Sequence, residues 1–186
     1  MDVGDSVWLA HPGDPGGPPR MAEIVADKGA FDPGRGAPVD MLRVRFADGQ
    51  EQILPAFELA ALPPLLAGAW RVVTWDERDD EDAPWRSPLG EGAAGLLLCH
   101  ASGALSFQLT APAAHVPYAG LFGRAAVRGA VADDAGLRGE LVVVPEAVHP
   151  PAFAGDGGPR AFHLQGDVLR FGDGRTTRRE LTRIPG

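Results

Sequence analysis

Glycine and proline limit what this chain can become. It holds 25 Gly and 18 Pro in 186 residues, so turns are plentiful and long helices are not expected. The stretch from Gly68 to Thr110 shows what such punctuation leaves. Ala69–Asp76 is rich in Trp and Val, residues that suit a pleated, half-buried surface. An acidic, Pro-containing loop leads to Ala94–His100, an apolar run of strand length. Ala101-Ser102-Gly103 turns the chain, and Ala104–Leu109 returns as the next strand.

The first sixty residues read as a compact unit of short strands. DSVWLA (Asp5–Ala10) and MAEIVADKG (Met21–Gly29) are each followed by a Gly/Pro loop, and MLRVRFADGQEQILP folds into a hairpin about Asp48-Gly49. Leu42, Val44 and Phe46 alternate with Arg43, Arg45 and Ala47, as in a strand with one buried face. Phe57-Glu58-Leu59 closes the unit. The segments GDSVWL, AEIVADKG, LRVRFADGQEQILP and FEL resemble the small SH3-like barrels, particularly the Tudor-type branch. That resemblance implies either an aromatic cage for a methylated basic side chain or an accessory barrel used for packing or assembly. Only Trp8, Phe31, Phe46 and Phe57 could build a cage, and at least two are needed for the core.

Ala60–Leu66 is the junction, which divides the chain into residues 1–60 and 61–186. Its consecutive prolines stop helix and strand alike. Leu62, Leu65 and Leu66 suit a short helical turn that plugs one end of the second unit.

Residues 61–186 supply about eight strands. After the first three come GRAAVRGAVADD (Gly123–Asp134), GLRGELVVVPE (Gly136–Glu146), the hairpin PRAFHLQ/DVLRF, and the closing TTRRELTRI. Sequential strands close into an up-and-down antiparallel barrel, which removes exposed edges; eight of them leave room for side chains or one small ligand. The fold expected is therefore all-β: a small SH3-like barrel, then an eight-stranded up-and-down barrel. GAWRVVTWD, PLGEGAAGLLLCHASGALSFQL and RAFHLQGDVLRF are similar to the bacterial lipocalin-like domain family, over roughly Pro63 to Ile184. The resemblance implies an interior that binds a small apolar molecule. Similar barrels in bacterial natural-product pathways act as cyclases without cofactors.

Composition narrows the partners. Hydrophobic residues make up 45% and charged residues 23%, as in an ordinary soluble globular protein. The net charge is −8 and neither half is basic, so neither nucleic acid nor an anionic membrane surface is an expected partner. No apolar run approaches the roughly 20 residues of a membrane span. MDVGDSVWLAHPGD lacks the basic and apolar regions of a secretory signal, which favours a cytoplasmic location. Barrel closure leads us to expect a monomer, or a weak homodimer through exposed apolar loops.

No metal, nucleotide or serine-elbow motif is present. His11, His100, His115, His149 and His163 never stand at i,i+2 or i,i+4 spacing, and Cys99 is the only cysteine. We therefore expect no metal and no cofactor. Cys99 and His100 are strand neighbours that face opposite ways, so they do not form a nucleophile–base couple. Alternation sets Leu105, Phe107 and Leu109 on one face and Ser106 and Gln108 on the other, without saying which looks inward. The polar candidates for an interior site are Gln108, Tyr118, Arg124, Glu140 and His163. The loops 77–93, 110–122 and 145–159 should gather at one rim. There Tyr118 would offer its hydroxyl to a ligand oxygen while Trp85, Phe122 and Phe153 exclude water. Phe107 would line the pocket beneath, and Glu140 or His163 would serve as a weak acid or base.

The leading expectation is a cofactor-independent cyclase or isomerase that folds one hydrophobic intermediate into a reactive shape. A non-catalytic carrier remains open. So does an interaction module built on the first barrel, which would go with a filled second barrel.

Overall fold

From Gly68 onward, apolar residues at every second position put one row of side chains from each strand on a common face. The computed structural model describes residues 1–9, 20–32, 34, 37–88, 90, 93–111, 118–150, 158–172 and 174–185. Eight of its strands curl that face inward: β6 (Gly68–Glu77), β7 (Ala94–Cys99), β8 (Ala104–Thr110), β9 (Tyr118–Asp133), β10 (Gly136–His149), β11 (Arg160–Gln165), β12 (Val168–Phe171) and β13 (Thr177–Arg183). Each pairs antiparallel with the next, and β13 pairs with β6, which closes an eight-stranded barrel. No α-helix occurs among the described residues, and none of their helices is long and apolar enough to cross a membrane.

The barrel is packed from the plug end upward. Trp70, Leu97, Cys99, Leu105, Val127, Leu141, Phe162, Leu164, Leu169 and Leu181 form one buried cluster to which every strand contributes. Leu62 and Leu66, both fully buried, seal its lower end from the single turn before β6. Leu66 N donates to Pro63 O at 2.8 Å and Leu62 N to Ala101 O at 3.2 Å, so the turn is tied to itself and to the β7–β8 hairpin. Leu65 alone of the three leucines points to solvent. Trp70 Nε1 donates to Leu66 O at 2.9 Å. The Arg183 guanidinium covers the indole at 4.2 Å and donates to the carbonyls of Ala67 and Leu65. These bonds satisfy carbonyls that a one-turn segment leaves unpaired.

Two irregularities decide which side chains reach the interior. On β6 a bulge at Val73 lets Leu181 face Val72 and Glu180 face Thr74, leaving Val73 exposed. The extra residue shifts the alternation, so Trp75, not Thr74, follows Val72 inward. On β7, Gly95 has no side chain because Val72 Cγ2 and Leu109 Cδ2 each lie 2.5 Å from where a Cβ would sit. Strands β9 and β10 also exceed the expected Gly123–Asp134 and Gly136–Glu146, pairing as far as Gly120 with His149. Gly123 allows it, since an added Cβ there would run into Val144 O.

The N-terminal strands are β1 (Asp5–Leu9), β2 (Arg20–Phe31), β3 (Val39–Phe46), β4 (Glu51–Pro55) and β5 (Leu59–Ala60), with a 3-10 turn at Ala56–Glu58. Their order is β5-β1-β2-β3-β4, around a core of Val7, Ala22, Ile24, Leu42, Val44, Phe46 and Leu59. They are not a separate sheet. Asp5 pairs with Arg128 and Ser6 with Val127, so β1 joins β9 and all 13 strands are continuous. β1 is buried on both faces: Val7 enters the small core, whereas Trp8 enters the barrel cluster. Trp8 and Phe46 are thus structural, while Phe31 and Phe57 are exposed.

Candidate functional site

At the barrel end away from the plug, the interior changes character. Here Trp75, Phe107, Phe171 and Arg179 are half-buried, in contrast to the fully buried leucines below. Trp75 and Phe107 stack across the interior, with centroids 5.4 Å apart and planes 16° from parallel. Arg179, paired in register with both Trp75 and Phe171, sets its guanidinium carbon 4.4 Å from the Trp75 ring centre. The result is a flat aromatic wall with one cation held on its face. Apolar flat molecules suit the wall, and a guanidinium suits a carboxylate or another planar oxyanion.

Strands β6, β8, β10 and β12 all terminate here, as the meander order requires. The segment after β6 is pinned outside the wall. Trp85 lies between Arg78 and Arg178, 4.4 and 4.5 Å from their guanidinium carbons, and Glu77 and Arg86 exchange backbone hydrogen bonds.

The sequence candidates are distributed by strand parity. Phe107 faces the interior. Gln108, one residue on, faces solvent beside Leu96 and Gly120. Tyr118 belongs to no lid: it opens β9 on the outer surface, stacked on His149 with centroids 6.2 Å apart. Its hydroxyl lies over Gly120, within 2.6 Å of where a Cβ would be. Phe122, placed by sequence in the rim loop, is an outward strand residue because β9 starts four positions earlier. It borders a groove of ≈ 590 Å³ on the outer wall together with Arg124.

Glu140 and His163 share another groove, of ≈ 950 Å³, with Arg138, Arg170 and Glu180, and Phe171 and Arg179 also border it. His163 Nε2 is 2.9 Å from Ala135 O; a carbonyl only accepts, so Nε2 carries the proton. Phe153 and His115 lie outside the described residues. Glu140 and His163 alternate with the inward Leu141, Phe162 and Leu164, so their side chains leave the barrel on its outer face, away from the Trp75–Phe107 pair. Sequence reading missed Trp75 and Arg179. A Trp and an Arg at the same ends of the first and last barrel strands were visible, but the Val73 bulge that turns Trp75 inward was not.

Cys99 faces the packed core. Burial pushes its thiol up to about 12, from an ordinary 9.0. His100, its neighbour, is exposed and bonded to Ser102 Oγ at 2.8 Å. Below pH 9 the thiol is protonated whether the chain is folded or not, so stability does not depend on it there. Between pH 9 and 12 only the unfolded chain loses the proton, and stability falls. We expect native protein at pH 8 to resist alkylation by iodoacetamide, with full labelling only in denaturant. Rapid labelling of the native state would contradict this placement.

Among the described residues no group of three or more His, Cys, Asp or Glu is arranged to hold a metal ion. No protein-family model, no curated protein and no solved structure matches this chain.

Proposed function

We propose that this protein is a lipocalin-like binding protein for a flat apolar molecule bearing one acidic group, taken into the barrel at the end opposite the plug. The observation that carries the reading is the inward Trp75–Phe107 stack with the Arg179 guanidinium on its face. The filled lower barrel gives these groups a rigid floor, which limits the site to the upper interior. A fixed cation beside an apolar wall is the pattern of a pocket with a few placed polar groups. Binding is favoured over cyclisation because Tyr118, Glu140 and His163 project from the outer wall. The N-terminal strands we read as an SH3-like accessory barrel. Support comes from their order, with a 3-10 turn before a last strand that returns to β1. Trp8 makes that barrel part of the floor.

Titration with 2-naphthoate and with neutral 2-naphthylmethanol, followed by tryptophan fluorescence and calorimetry, tests the site. Naphthoate is expected to bind, and Arg179→Met to weaken it by about tenfold or more, since bonds to charged groups are worth roughly 1.5–3 kcal/mol. The alcohol should be insensitive to that change, and Trp75→Phe should remove most of the fluorescence response. Failure of both probes to bind, or naphthoate affinity unchanged in Arg179→Met, would overturn the reading.

A further inference from the structure

The barrel's outer surface has two unlike walls. Over β11, β12, β13 and β6 it is laced with ion pairs, Arg170–Glu180 at 2.9 Å and Arg178–Asp76 at 2.8 Å among them. Over β7 to β10 an apolar patch interrupts the charge, although β10 also carries the exposed Arg138 and Glu140. Leu98, Phe122 and Val144 are 41%, 52% and 63% exposed; Ser106 stands between Leu98 and Phe122, and Arg124 between Ala104 and Val144. Large apolar side chains grouped in this way mark an interaction surface, whereas scattered single ones do not.

The wall's shape and charge decide what covers it. The ≈ 590 Å³ groove is lined by the small side chains of Ala69, Ala104 and Ser106 together with the larger Leu98 and Phe122. Knob and hole thus lie on one patch. The charged pair there is a single Arg124 with a single Glu146, 3.3 Å apart and with side chains 75% and 52% exposed. Pairs this exposed contribute little where they are and can exchange partners. The patch carries no net charge on a chain of net charge −8, so it is where two copies can approach without repulsion. A two-fold axis requires a surface complementary to itself, with both signs of charge and both halves of each fit.

We infer that a second copy of this chain docks on the β7–β10 wall about a two-fold axis. The Phe122 of each copy sits in the groove of the other, and each Arg124 faces the partner's Glu146. The contact involves neither Trp75 nor Arg179, so it stands or falls separately from the binding reading.

Sedimentation equilibrium and light scattering on the full chain at micromolar concentration test it. The expected mass is twice 19.5 kDa. Phe122→Asp should weaken association by at least about tenfold, as loss of a central aromatic does. Arg124→Glu and Glu146→Arg should each be monomeric alone, since each then opposes like charges. Mixed, they should associate, and the double variant should recover the dimer. All substituted side chains are exposed, so thermal stability of each monomer should match the parent and report folding. A monomeric parent chain, a dimer that survives Phe122→Asp, or single charge variants that fail to associate when mixed would each overturn the inference.

Discussion

Trp70→Ala is expected to lower stability by about 3–5 kcal/mol, the range for removing a large buried aromatic from a packed core. For a chain of this size that is a fall in thermal midpoint of roughly 6–20 °C. Three functions are lost at once. The indole fills the centre of the plug-end cluster, where it is fully buried. Its Nε1 donates to Leu66 O, and its face carries the Arg183 guanidinium. Trp70→Phe separates these contributions, because a ring remains under Arg183 and only the hydrogen bond and part of the volume go. The Phe variant should therefore lose markedly less than the Ala variant. Calorimetry that placed Trp70→Ala within about 2 °C of the parent, where a 1 kcal/mol change alone would be visible, would mean that the plug is not part of the cooperative core.

The second large effect is expected at the joint between the N-terminal strands and the barrel. Asp5 is 2% exposed, accepts from Asp2 N at 2.7 Å, and pairs with Arg128 Nε at 2.9 Å. Arg128→Ala strands a buried carboxylate. Removing one partner of a fully buried pair costs about 3–5 kcal/mol, and because the Arg128 side chain is 42% exposed we expect about 2–3 kcal/mol here. Asp5→Ala combined with Arg128→Ala should cost less than the two single changes added, since no orphaned charge remains. The Asp5 hydrogen bond raises the Arg128 pKa further above its ordinary value. Its contribution is therefore complete at all pH values below the ordinary arginine range, and is lost only as pH rises through the raised value. Urea denaturation at two pH values near neutrality should give the same loss. Additive effects of the two substitutions would show that the pair is not coupled.

The barrel's strand order was legible because each strand reports itself by alternation and each turn by glycine. The same alternation could not show the Val73 bulge: an inserted residue leaves the apolar pattern intact and changes only which face comes after it. That one residue put Trp75 inside. Tyr118 and Phe122 were misplaced for a related reason. Their neighbours are small, so the start of β9 looks like loop, yet Gly120 and Gly123 are needed there for Tyr118 and for the β10 backbone to approach. Trp8 carried a readable sign. Val7 and Trp8 are adjacent and both apolar, and their joint burial needs a strand covered on both faces, which the reading of the first unit as a separate barrel did not foresee.

The continuity of β1 with β9 bears on how the chain acquires its fold. Asp5 and Arg128 are 123 positions apart; apart from this ladder, the β13–β6 closure and the β1–β5 pair, each strand meets its neighbour in sequence. The hairpins can form early from contacts close along the chain, but this ladder must wait until both bodies are nearly complete, because closing so large a loop is entropically unfavourable. Until then Trp8 stays outside the barrel cluster. The N-terminal strands thus act as a late-fitting base, joined to the barrel by a ladder that, like the β13–β6 closure, brings together residues more than a hundred positions apart.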